Sequence, residues 1–229
     1  MSTPQLFVSE IFTSLQGEGP KIGTPSIFLR LGVCNLHCDW CDTPYTWKPE
    51  VRDYKILYIH EVAKKIAALR KKTSIANLVI TGGEPLLQQQ QLLVLLNLPE
   101  CKDLAIEFET NGSILLLPSF KKLIQDRNIC FNISPKLADS GNRAYKVHIY
   151  PRSVLKFVYV NKKSEKLIEK FLLGNKIAEK NVPVYVMPEG VSVISMKKKY
   201  PSLINFCLKR GFTFTPRLQI YLFGSKRGT

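Results

Sequence analysis

Cys34, Cys38 and Cys41 fall within eight residues, spaced C-x3-C-x2-C, in the stretch C-N-L-H-C-D-W-C-D-T that ends at Thr43. The other three cysteines, Cys101, Cys130 and Cys207, are scattered and read as free thiols. Three thiolates this close can face one inorganic centre. A structural zinc site wants four ligands in a tetrahedral arrangement. His37 is the only nearby fourth candidate, and it abuts Cys38, which makes joint ligation of one ion awkward. A C-x-x-C pair can be a redox motif, but that leaves the third cysteine unexplained. Iron–sulfur clusters are held by clustered thiolates. A four-iron cluster held by three cysteines keeps one iron open for an outside ligand, so a cluster is favoured over zinc, a redox pair or inert thiols.

The elements around this loop follow a repeated order of apolar strand, polar turn and helix. Strands are expected at 6–12, 26–32, 77–85, 104–112, 129–136, 154–160, 183–190 and 217–223. Helices are expected at 59–70, 91–98, 118–127, about 164–173 and 202–211. Ile59, Val62, Ala63, Ile66 and Leu69 share one face of the first helix. The alternation argues an α/β fold with mostly parallel strands. The chain is short for a complete eight-fold barrel of about 250 residues, so a partial, open TIM-like barrel is expected. Polar residues cluster where strands end: Glu84, then Glu109 and Asn111, then Ser134 and Lys136, then Glu189. Those ends face the active site in such folds. Arg30 is the one charge in an apolar strand. Lys156, also in a buried-looking strand, either pairs with a carboxylate or faces the site. Glu107 points the same way as Glu109 or pairs with a lysine from a neighbouring strand.

At 229 residues and 45% hydrophobic, one domain over residues 1–229 is the expectation. No run approaches the roughly 18–20 apolar residues of a membrane span, and the first ten residues lack a basic-then-apolar pattern. A cytoplasmic protein is therefore expected, with no membrane partner. The formal charge of +15 favours anionic partners. The lysine runs, such as Lys197 to Lys199, lack the interleaved aromatics of a base-stacking surface, so they read as solvated faces and nucleic acid is not the expected partner.

Five stretches in order carry a family resemblance: E-I-F-T-S-L-Q-G-E-G (10–19), R-L-x-x-C-N-L-x-C-x-W-C-D-T (30–43), T-G-G-E-P-L-L-Q (81–88), E-T-N-G (109–112) and S-P-K (134–136). The cysteine spacing with Trp40 before the last cysteine resembles the radical S-adenosylmethionine (SAM) superfamily. Together the five resemble its 7-carboxy-7-deazaguanine synthases, which serve the 7-deazapurine pathway to queuosine. The resemblance implies a carbon–nitrogen lyase that converts 6-carboxy-5,6,7,8-tetrahydropterin to 7-carboxy-7-deazaguanine and ammonia. A 5′-deoxyadenosyl radical would abstract hydrogen and ring contraction would follow.

The same resemblance implies that Cys34, Cys38 and Cys41 hold a [4Fe–4S] cluster, and that Trp40, Cys41, Asp42, Gly83 and Glu84 meet SAM. Ser134, Pro135 and Lys136 join them, as do Met187, Pro188, Glu189 and Gly190. Leu15, Gln16, Gly17, Glu18, Arg30, Thr81 and Thr229 would contact substrate, with Glu109 catalytic. Thr43 would ligate Mg2+, with Asp42 as rival. A homodimer and a flavodoxin- or ferredoxin-type electron donor are further implications. Two departures stand out: Val33, where many relatives have a small residue, and M-P-E-G (187–190) in place of a Q-P sequence. The rival readings are another radical SAM enzyme, such as a glycyl-radical activase, and a basic iron–sulfur or zinc module that binds nucleic acid.

Overall fold

The computed structural model describes residues 4–229. Nine strands form one sheet in the order β3-β1-β2-β4-β5-β6-β7-β8-β9. They are β1 (Gln5–Leu15), β2 (Pro25–Leu31), β3 (Lys55–Tyr58), β4 (Asn77–Gly82), β5 (Ala105–Thr110), β6 (Ile129–Ile133), β7 (Ser153–Tyr159), β8 (Val184–Pro188) and β9 (Thr213–Phe214). From β2 to β9 every neighbouring pair is parallel, and only β1 runs against its neighbours β2 and β3. The sheet is open, its edge strands β3 and β9 lying at opposite ends of the order. The expected mostly parallel, partial barrel is the observed architecture.

Strand alternation sorts the side chains. Side chains two residues apart share a face. Along β2, Ile27, Leu29 and Leu31 are fully buried in the core, while Phe28 and Arg30 line a cavity. Along β5, Ile106 and Phe108 join the core and Glu109 faces the cavity. Along β7, Leu155, Phe157 and Tyr159 join the core and Lys156 and Val158 face the cavity. The core face is covered by α1 (Ile59–Lys72), α2 (Gln89–Asn97), α3 (Pro118–Asp126), α4 (Lys163–Gly174) and α6 (Tyr200–Arg210). Val62, Ala63 and Ile66 of α1 are buried, as their spacing requires. Each fully buried leucine or isoleucine contributes roughly 1.5–3 kcal/mol, so this face carries the stability and leaves the other free for polar groups. Among the described residues no helix is long and apolar enough to cross a membrane.

Four elements differ from expectation, the unexpected two-residue β9 among them. The stretch 217–223 is not a strand: it contains helix α7 (Leu218–Phe223). Pro216 has no N–H to extend a ladder, and the Leu218 N–H donates instead to the Gly17 carbonyl at 2.9 Å. The chain thus turns away from the sheet after the two-residue β9. The short edge strand β3 and the five-residue α5 (Val193–Lys197) carry too few residues for a periodic signal.

Candidate active site

The strand ends and the loops after them enclose one cavity of about 520 Å³. The cysteine loop forms one wall. It leaves β2 through Val33, whose φ of 71° is a left-handed conformation that a β-branched residue rarely adopts. Two hydrogen bonds hold it there: its N–H donates to Thr46 O at 2.7 Å, and its carbonyl accepts from Glu84 N at 2.9 Å. A glycine at this position would avoid that strain.

Cys34, Cys38 and Cys41 all line the cavity, and none is in a disulfide. Burial pushes the Cys34 thiol up to about 12 and raises Cys38 as well. Isolated thiolates are therefore unwelcome here, and a metal-bearing group that deprotonates its ligands outright is the natural occupant. Among the described residues no three His, Cys, Asp or Glu side chains converge as a single ion requires. Cluster irons take one cysteine each, so thiols spread along one wall suit a cluster better than a zinc ion. The donor set fits a [4Fe–4S] group.

The G-G-E-P turn follows β4. A Cβ on Gly83 would stand 2.0 Å from the Val33 carbonyl oxygen, and one on Gly82 would stand 2.1 Å from Leu31 O. These glycines are thus required by the passage of β2 and the cysteine loop beside them, in addition to any approach of a ligand. Glu84 is fully buried away from the cavity and accepts from Leu86 N, Thr110 Oγ1 and Asn111 N at 2.7–3.0 Å. Burial raises its carboxyl to about 6 despite those donors. Its side chain ties the end of β4 to the end of β5.

The opposite wall is a lattice of charges. Lys156 Nζ lies 2.6 Å from Glu18 Oε2 and 2.7 Å from Glu109 Oε2. Arg217 donates to Glu18 at 3.0 Å, to Asp42, and to the Gly190 carbonyl at 2.5 Å. Burial alone would raise Glu18, but Lys156 and Arg217 hold it well below the usual carboxylate range. Burial raises Glu109 even though Lys156 opposes it. Gln16 donates to both Glu107 and Glu109, and Asn132 Nδ2 donates to the same pair at 2.6 and 2.8 Å. Lys156 therefore does both things its strand position suggests. Glu107 is buried behind Glu109, with Lys21 Nζ at 3.6 Å.

Of the expected site residues, the cavity is lined by the cysteines, Trp40, Asp42, Thr43, Leu15, Gln16, Gly17, Glu18, Arg30, Thr81, Gly83, Glu109, Ser134, Lys136, Met187, Pro188, Glu189 and Thr229. Glu84, Pro135 and Gly190 do not line it. Gly190, at φ 146°, sits where a Cβ would meet Ser195 Oγ at 2.6 Å. Lys136 Nζ lies 5.1 Å from the centroid of the Trp40 ring and donates to Ser134 Oγ. Asp42 is engaged by Arg217, which leaves Thr43 the freer of the two oxygen donors beside Cys41. Arg30 gives its Nε to Glu10 at 2.7 Å, while its terminal nitrogens make no hydrogen bond among the described residues.

Sequence reasoning missed Arg217, Glu10, Tyr45 and Arg227. Glu10 accepts from Arg30, Tyr45 and Arg227. Arg227 also pairs with Asp53 at 3.0 Å and covers the Tyr45 ring at 3.7 Å, which holds residues 224–229 against the cavity.

Comparisons with known proteins bear on the family and the fold. The profile of the Radical SAM superfamily matches residues 30–153. The chain is 31% identical to the 7-carboxy-7-deazaguanine synthase of Pyrobaculum aerophilum, covering 99% of both chains. It is 33% identical to that of Hyperthermus butylicus, over 94% of this chain and 92% of the relative. The crystal structure of QueE from Escherichia coli shares the fold, with a TM-score of 0.71 at 24% identity, over 93% of this chain and 94% of that one.

Proposed function

The chain belongs to the radical SAM superfamily and, within it, to the 7-carboxy-7-deazaguanine synthases, and from that premise we propose that it converts 6-carboxy-5,6,7,8-tetrahydropterin to 7-carboxy-7-deazaguanine with release of ammonia. One observation carries the reading. A single cavity sets three unpaired thiols on one wall against Arg30 and the Glu18–Lys156–Glu109 lattice on the other.

Cys34, Cys38 and Cys41 would hold the [4Fe–4S] cluster. Trp40, Asp42, Gly83, Ser134, Lys136 and the 187–189 strand end would hold SAM. The bound cluster and SAM supply the hydrogen-abstracting radical chemistry. The chain's own residues position the substrate and manage its charge. The terminal nitrogens of Arg30 grip the substrate carboxylate as a planar fork, and Glu10 on Nε fixes the orientation of that fork. Gln16 and Asn132 aim Glu109, and Lys156 fixes its Oε2. Burial raises the Glu109 carboxyl, which suits it to take up and return a proton as the amine departs. Helix α7 and residues 224–229 line the cavity and would limit the access of water to the reacting centre. Thr43 offers one oxygen to Mg2+, an ion that keeps several waters and accepts few protein ligands. A homodimer, a cytoplasmic setting and an acidic flavodoxin- or ferredoxin-type donor complete the reading.

The test is anaerobic reconstitution with iron and sulfide, followed by assay with SAM, a reductant, Mg2+ and the carboxypterin. Deazaguanine and ammonia should appear in equal amounts. SAM cleavage without either product would overturn the substrate assignment. Thr43→Ala should raise the Mg2+ concentration needed for half-maximal rate, and an unchanged requirement would remove Thr43 from the site.

A further inference from the structure

His37, read from sequence only as a poor fourth ligand, does something else. Its backbone N–H donates to Asn142 Oδ1 at 3.0 Å. That contact fixes which way the amide faces, and Asn142 Nδ2 then points at Cys38 Sγ, 3.1 Å away. The same nitrogen lies 3.1 Å from Ser140 Oγ and 3.4 Å from Ser140 O. The His37 ring stacks on Trp47 with centroids 4.6 Å apart and planes 18° from parallel. The indole N–H of Trp47 donates to Cys41 Sγ at 3.4 Å, where Thr43 Oγ1 also approaches to 3.8 Å. Cys34 is approached by the backbone N–H of Leu36. One residue therefore holds two side-chain donors on two of the three thiols.

An N–H aimed at a cluster-ligating sulfur stabilises the more negative, reduced state and raises the reduction potential. We propose that His37, Trp47 and Asn142 form a clamp whose two N–H···S bonds raise the reduction potential of a cluster held by Cys34, Cys38 and Cys41. The proposal rests on the cluster reading above. All three act through the ligands as positioning residues, and none is needed to touch SAM or substrate. The clamp joins a near and a distant segment to the cysteine loop, Trp47 lying six residues after Cys41 and Asn142 lying 104 after Cys38.

The experiment uses the full chain, reconstituted anaerobically. Iron and sulfide content are read first, and then the potential is titrated by electron paramagnetic resonance without substrate. Trp47→Phe keeps the stacked ring and loses the N–H. Asn142→Ala loses the other donor. Each should make the potential more negative, lowering the reduced-to-oxidised ratio at fixed reductant potential about threefold to tenfold, where tenfold corresponds to ~59 mV for one electron. The double variant should show the sum, and His37→Ala, which removes the ring stacked on Trp47 but keeps the backbone N–H to Asn142, should shift the potential no further than Trp47→Phe. Replacement of Trp47 by its benzothiophene isostere, which removes the N–H alone, guards against a loop that simply packs badly. An intact cluster with an unmoved potential in the isostere and in Asn142→Ala overturns the clamp and leaves the cluster reading standing. A wild-type chain that takes up no iron overturns both.

Discussion

Arg217 donates to Glu18, Asp42 and the Gly190 carbonyl while almost fully buried. Breaking a buried pair leaves a charge without its counterion and costs about 3–5 kcal/mol. Glu18 keeps Lys156, and Asp42 is partly solvated, so Arg217→Ala should sit at the low end, ~3 kcal/mol, measured by urea unfolding. Arg217→Lys should recover only part of this, because an ammonium cannot span three acceptors as a fork does. Glu84 gives a test with a defined pH window. Its folded carboxyl is raised to about 6 from an ordinary 4.5, chiefly by burial. The native state binds more protons than the unfolded chain between those values, so stability falls as pH rises through them, by about 2 kcal/mol. Glu18 is shifted the other way, and its contribution is lost only as pH falls below 4.5. Glu84→Gln should therefore lessen the decline between pH 4.5 and 6.5, to which the raised Glu109 also contributes, and leave the acid limb unchanged. An identical decline in the variant would assign it to another group. These residues also mark what was legible. The cysteines, Arg30 and Glu109 announce themselves through local spacing or a lone charge in an apolar strand. Arg217 gives no local signal, because its partners Glu18 and Asp42 lie 199 and 175 positions away in sequence.

At the scale of elements, the junction of β2 with β4 decides where the cysteine loop stands. Gly83 packs against the Val33 carbonyl with no room for a Cβ, and the obstacle is backbone, which cannot swing aside. Gly83→Ala should cost ~1–3 kcal/mol, as overpacking does, and should lower iron retention after desalting while circular dichroism stays native. Val33→Gly is the converse: it relieves a left-handed β-branched residue, worth roughly 1–3 kcal/mol, against a glycine entropy penalty of roughly 0.5–1 kcal/mol. A small rise in melting temperature with full iron content is expected, and a fall would show that the Val33 side chain holds the loop by packing. The long strands and helices were readable because each carries enough residues for its period to show. Helix α7 was misread since L-Q-I-Y-L-F alternates like a strand, and only the departure of Pro216 from the two-residue β9 turns it away. β3 and α5 were missed because four or five residues repeat the strand or helix period too few times for a pattern to stand out.

For the molecule as a whole, the formal charge of +15 exceeds what the cavity uses, since its lysines and arginines are nearly matched by Glu10, Glu18, Asp42, Glu107 and Glu109. The surplus lies outside. Lys48 and Arg52 are exposed just beyond the cysteine loop, and exposed Arg143 adjoins the Asn142 that touches Cys38. Lys48, Arg52 and Arg143, interspersed with exposed Asp39, Glu50 and Asp53, are the cations beside the thiol wall that would steer an acidic electron donor, and salt would screen that attraction over a Debye length of about 8 Å at physiological ionic strength. Reduction of the cluster by an acidic flavodoxin should therefore slow by at least tenfold between low and 0.5 M salt, roughly the lower bound of electrostatic steering. Reduction by a small uncharged photoreductant should change little over the same range. Lys48→Glu combined with Arg143→Glu should slow the flavodoxin reaction at low salt and flatten its salt dependence, with the photoreduced rate of SAM cleavage unaltered. Exposed single ion pairs are worth at most about 1 kcal/mol, so the fold should tolerate both changes. Equal salt profiles for the two reductants would mean that the surplus charge serves solubility and leaves encounter with the donor unsteered.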